Sequence, residues 1–124
     1  MLKKIILSIV SIMILLAIVL LPGCIRKEQY GLAIDPAFAL EKVSNILSRP
    51  ESYLGKQVVL KGKIDMECGS GCWFYVDDGT GRIYVDLNPG GIAIPQRVGK
   101  AVTVIGKVAK EEDMLMVNAT GVAF

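Results

Sequence analysis

Cys68 and Cys72 bracket Gly69-Ser70-Gly71, and Met66 stands two residues before the first of them. Thiols so close can close a disulfide, exchange electrons, or hold a soft cation such as Cu(I) with help from a thioether. The spacing is Cys-x3-Cys, not the Cys-x2-Cys of thioredoxin-like redox motifs. Its two glycines leave the loop free to close a bridge. Met114 and Met116 offer further thioethers, although plain packing accounts for methionines equally well. Histidine is absent from all 124 residues. Serine, cysteine and zinc hydrolases ordinarily take a general base or a ligand from imidazole, so those mechanisms have no residue to run on. The expectation is a chain that binds and does not catalyse, with no cofactor.

The second constellation is aromatic. Period-two alternation turns Phe74, Val76, Ile83, Val85 and Leu87 inward and leaves Trp73, Tyr75, Arg82 and Tyr84 on one outer face. Lys61 and Lys63 project from a neighbouring strand. Rings beside cations suit stacked bases and phosphates. The same face suits a glycan or a peptide, and a packing helix or loop could equally cover it as a second core. The carboxylates at Asp77-Asp78 and Glu111-Glu112-Asp113 fall at turns, where acidic residues are ordinary solvated turn formers.

The N-terminus sets the compartment. Met1-Leu2-Lys3-Lys4 is a basic n-region, and only Ser8 and Ser11 interrupt the apolar run from Ile5 to Leu21. That is an export signal. Leu21-Pro22-Gly23-Cys24 resembles the bacterial lipobox. The resemblance implies cleavage after residue 23 and a lipid on Cys24. An uncleaved signal anchor is the rival, since a 17-residue run is close to the shortest span of a bilayer. In both cases Lys3 and Lys4 stay inside and the domain is held at the cell membrane on the extracytoplasmic side. Residues 1–23 are thus read as signal peptide, 24–35 as a tether and 36–124 as the domain. Of 14 basic residues Lys3 and Lys4 leave with the leader, so 12 remain against 12 acidic ones and the domain is neutral. A neutral domain lacks the field that draws phosphate backbones. Export also places Cys68 and Cys72 where thiols oxidise, which favours a structural disulfide over redox or metal roles.

Several elements must position these residues. Asp35-Pro36 reads as a helix start and Arg49-Pro50 as its stop, with Leu40, Val43, Ile46 and Leu47 at helical spacing. Five strands follow: Val58–Met66 with a bend at Gly62, Cys72–Asp77, Arg82–Leu87, Ala101–Lys110 and Met114–Ala123. Asp78-Gly79-Thr80-Gly81 carries a hairpin signal, and residues 88–99 form a Pro/Gly-rich excursion. Short antiparallel strands with one bend and one long excursion predict an all-β, five-stranded Greek-key barrel preceded by one amphipathic helix. The segments Tyr53–Lys63, Asp77–Asp86 and Val98–Val108 resemble OB-fold domains of the anticodon-binding and helicase-associated type. The Gly71-Cys72-Trp73 stretch is similar to small exported OB-fold domains of unknown function. The resemblance covers residues 50–124 and implies the fold more than a function.

The functional expectation is a monomeric lipoprotein module that binds an envelope protein, peptide or glycan through Trp73, Tyr75, Arg82, Tyr84, Lys61 and Lys63. Single-stranded nucleic acid on the same face is one alternative. A copper or redox site at Cys68 and Cys72, with Met66, is another.

Overall fold

The structure, a computed structural model, describes residues 1–20, 23 and 27–124. Leu21, Pro22 and Cys24, on which the lipobox reading rests, lie outside the described residues. Helix α1 (Leu2–Val19) is apolar apart from Lys3, Lys4, Ser8 and Ser11, none of it is buried, and its mean hydropathy of 2.5 is high enough to cross a membrane by length and composition.

Two short helices, α2 (Val43–Ser48) and α3 (Pro50–Tyr53), follow a three-residue strand β1 (Gln29–Gly31). The barrel is built from β2 (Gln57–Glu67), β3 (Trp73–Asp77), β4 (Arg82–Asp86), β5 (Ala101–Glu111) and β6 (Met114–Ala123). The hydrogen-bonded order is β1-β6-β4-β3-β2-β5, and β5 also pairs with β6, which closes the five long strands into a barrel. Inward positions fill it. Leu60, Phe74, Val76, Val85, Leu87, Val104 and Val117 are all fully buried in one core cluster. Each such side chain contributes about 1.5–3 kcal/mol of transfer free energy.

The strand boundaries match the alternating pattern to within a residue or two, but three expectations are corrected. Not every pairing is antiparallel: β4 and β6 run parallel, Tyr84 opposite Met116 and Asp86 opposite Asn118. Short-range pattern cannot distinguish the two directions, because both show the same period. The helix does not run from Pro36 to Ser48. Asp35 instead closes a local turn by accepting the Ala37 N–H at 2.8 Å, and Leu40 forms a parallel bridge with Val59 before α2 begins at Val43. The helix stop falls where Arg49-Pro50 places it: α2 ends at Ser48 with Arg49 as its C-cap, and Pro50 then occupies the first turn of a separate helix, α3. Finally, the tether is shorter than residues 24–35, because β1 pairs antiparallel with β6, Gln29 opposite Ala123 and Gly31 opposite Gly121. Three residues held by main-chain bonds carry no periodicity to read.

β2 is where the barrel turns. Its first half pairs with β5 from Gln57 to Lys63, and its second half pairs with β3 from Lys63 on. The bend expected at Gly62 is present: a Cβ there would overlap the Asp77 carbonyl, so only glycine lets the two strands close up. A register shift follows between Ile64 and Met66, leaving Asp65 as the extra residue.

At one end of the barrel α2 buries Val43 and Ile46 beside Gly81. At the other, Ile92 and Ile94 of the 88–99 loop turn into the core. The helix start has no side-chain cap of its own. Asp78 and Thr80 supply one from the β3–β4 hairpin: Asp78 Oδ2 accepts the Val43 N–H at 2.9 Å and Thr80 Oγ1 the Ser44 N–H at 3.1 Å.

Candidate functional site

The antiparallel register of β3 and β4 sets Trp73 opposite Asp86, Tyr75 opposite Tyr84 and Asp77 opposite Arg82. With Phe74 and Val76 committed to the core, alternation leaves the three rings together outside. Their centroids are 5.5 Å apart for Trp73–Tyr84, 5.4 Å for Tyr75–Tyr84 and 6.1 Å for Trp73–Tyr75. Tyr75 meets both neighbours edge-on, whereas Trp73 and Tyr84 are tilted by only 30°. These are the favoured offset and T-shaped arrangements of aromatic quadrupoles. All three rings are half-buried. Of the two expected covers, α2 lies against Gly81 at the hairpin end, and Ile92 and Ile94 of the 88–99 loop turn into the core.

Arg82 completes the cluster. Its guanidinium carbon sits 4.2 Å from the Tyr75 ring centroid, and one nitrogen approaches Asp65 at 2.8 Å. Asp65 is a site residue that the sequence reading misses, although strand parity places it on the same outer face as Lys61 and Lys63. Lys61 and Lys63 stand apart from the rings. They line an open groove of about 690 Å³ with Asp65, Asp77, Asp78, Val98 and Gly99. Asp65 joins groove and rings. Burial, then the nearby carboxylate of Asp86, pushes the Tyr84 hydroxyl above the usual phenol range, so it stays a neutral donor.

Cys68 and Cys72 form a disulfide with Cα atoms 5.7 Å apart. With both sulfurs in that bond neither is a thiolate ligand, and Met66 lies in register with Tyr75 instead of with a third sulfur ligand. Among the described residues no group of three His, Cys, Asp or Glu is placed to hold a metal ion. Intact-mass measurement of the purified chain is expected to find the two thiol hydrogens missing and no retained copper. The loop is tied to the site: Cys68 N–H donates to the Trp73 carbonyl at 2.9 Å and Leu87 N–H to the Cys72 carbonyl at 3.0 Å. Gly71 takes a φ of +73° and packs on the Ile94 backbone, a position closed to other residues.

The acidic pair is not merely solvated. Asp78 Oδ1 accepts from Thr80 N at 2.9 Å, Thr80 Oγ1 at 2.6 Å and Gly81 N at 3.2 Å, in addition to the Val43 bond. Burial alone would raise its carboxyl, but these donors outweigh it and hold the group below the usual carboxylate range.

A closed five-stranded barrel with one parallel closure between β4 and β6 defines an OB-fold, in which the two central strands and the adjoining loops are the customary ligand surface. Here those are β3, β4 and the Cys68–Cys72 loop. No protein-family profile matches the chain, and no curated protein matches it. Among solved structures it is similar to the hypothetical protein YgiW from E. coli, with 19% identity and a TM-score of 0.51 over 74% of this chain and 96% of that one. At that identity the likeness carries the fold alone.

Proposed function

We propose that the chain is a monomeric, membrane-anchored, extracytoplasmic OB-fold module that binds an envelope protein, peptide or glycan through Trp73, Tyr75, Arg82 and Tyr84 and catalyses nothing. Its anchor is a lipid on Cys24 or α1 itself. The observation that carries the reading is the packed, part-exposed ring cluster on the customary OB-fold surface. Side chains already locked against one another lose little rotamer entropy on binding. The adjoining charges argue against single-stranded nucleic acid. Arg82, the cation nearest the rings, is engaged by Asp65 and Tyr75, and the two lysines of the groove face three aspartates. A phosphate chain needs an unneutralised track of cations.

Trp73 is the only tryptophan, so its emission reports ligands arriving at this face. Titration of the full chain with solubilised peptidoglycan fragments and envelope peptides is expected to shift that emission. Tyr84→Ala is expected to weaken the interaction about tenfold, equivalent to ~1.4 kcal/mol. A salt-sensitive response to oligo-dT with none to envelope fragments would reverse the assignment.

A further inference from the structure

The segment from Leu32 to Leu40 has a surface unlike the rest of the domain. It begins where Leu32 N–H donates to the Thr120 carbonyl of β6 at 2.8 Å, and it ends where Leu40 bridges Val59 of β2 and Glu41 N–H donates to the Val59 carbonyl. β5 lies between those strands, so the segment crosses its outer face as a strap. The Leu32 carbonyl and the Ile105 side chain meet over Gly121. Beneath it Val59 and Ile105, both outward by parity and outside the main core cluster, are buried. The strap's own outer side is apolar and open: Leu32 is 63% exposed, Phe38 50% and Leu40 59%, with Ala33, Ala37 and Ala39 between them. Asp35 is the one acidic residue from Leu32 to Leu40, and its Oδ1 is occupied by the Ala37 N–H. Glu41 comes next, half-buried, with its Oε1 taken by the Lys42 N–H and the Asn45 amide; Lys42 beyond it is exposed, as is Lys107 on the same outer face of β5 as Ile105.

The chain itself says what lies near this surface. Ten Cα steps separate Val19, the end of α1, from Gln29 in β1, a reach of about 35 Å at most when fully extended. β1 leads into the strap without a break, so β1 and the strap together are the first part of the domain that the membrane segment delivers to the bilayer surface. Exposed leucine and phenylalanine flanked by lysine is the composition that settles at the headgroup boundary, where rings and aliphatic chains enter the acyl edge and amines meet anionic lipid.

We propose that Leu32, Phe38 and Leu40 rest in the interfacial layer of the bilayer, making the strap a membrane-docking surface that fixes the orientation of the barrel. Docking on β2, β5 and β6 turns β3 and β4, on the far side of the barrel, away from the lipid and presents the Trp73–Tyr75–Tyr84 face to the aqueous compartment. The proposal rests on reading the N-terminal segment as a membrane anchor, and the test separates the two.

The full chain, carrying Trp73→Phe together with Phe38→Trp so that its sole tryptophan lies in the strap, is reconstituted into phosphatidylethanolamine–phosphatidylglycerol vesicles with brominated acyl chains. The wild type, whose sole tryptophan is Trp73, is the comparison, and Leu40→Trp in place of Phe38→Trp is the second probe should the first disturb folding. Quenching of the strap probe is expected to exceed that of Trp73 at least threefold, with emission shifted to the blue. Equal, weak quenching in chains that sediment with the vesicles overturns strap docking and leaves the anchor standing. A blue-shifted probe that bromine does not quench also overturns it, because a second copy or another protein then covers the strap. Chains that fail to sediment with vesicles overturn both readings.

Discussion

Asp78→Ala is expected to lower the stability of the domain by about 2–4 kcal/mol, because one carboxylate serves both the β3–β4 hairpin and the start of α2. Three donors from Thr80 and Gly81 converge on Oδ1, and the Val43 N–H donates to Oδ2 from across the barrel end. Removing the acceptor strands the N–H of Val43, a fully buried residue that seals the core beside Gly81. For a domain of this size the loss corresponds to a fall in Tm of roughly 10–25 °C. Asp78→Asn keeps an acceptor oxygen and is expected to lose about half as much. The pH dependence checks the cause. The folded carboxyl lies below its ordinary value, so its stabilisation is complete above the unfolded value near ~3.9 and is lost as pH falls through the folded value. Denaturation midpoints measured from neutral pH down to about 3 are expected to show that loss in the wild type and a flatter profile in Asp78→Ala.

Gly62→Val is expected to cost about 3 kcal/mol or to prevent folding, since the added carbons meet main chain and not a flexible tip. A Cβ at this position falls on the carbonyl of Asp77 and near the Asp78 nitrogen. Those atoms lie at the end of β3, which β2 must pair with from Lys63 onward, so relief requires opening the barrel seam. Gly79→Ala is the control. Gly79 has a φ of +86° but open space around it, so alanine there adds only backbone strain of about 1 kcal/mol. Urea titration of the two variants should separate them by midpoint at an unchanged slope. Gly62 also sits between Lys61 and Lys63, so a variant that does fold is expected to have a distorted groove.

The aromatic face shows how far a linear reading extends. Alternation along Trp73–Asp77 and Arg82–Asp86 is a local consequence of strand geometry, and a two-strand hairpin preserves it whatever the rest of the chain does. Residue order therefore places Trp73, Tyr75, Arg82 and Tyr84 together. It puts Lys61 and Lys63 on the correct side but not in the correct neighbourhood. Asp65, which holds Arg82, is the bulged residue of β2, and a bulge is visible only against a partner strand. The proximity of Cys68 and Cys72 in sequence makes their pairing legible; its attachment to the Trp73 and Leu87 backbone is not.

What the sequence determined by itself are properties set over a few residues: the apolar N-terminal run, the strands and their inward faces, the glycine at the β2 bend, the ring cluster, and the absence of histidine. Tertiary structure alone decided the parallel closure of β4 on β6, the β1 pairing, the truncation of the helix to Val43–Ser48, the capping of α2 by Asp78, and the strap over β5. Each depends on a main-chain bond or side-chain contact between residues far apart in the chain. Main-chain donors and acceptors are the same at every position, so no residue type records which distant partner they will meet.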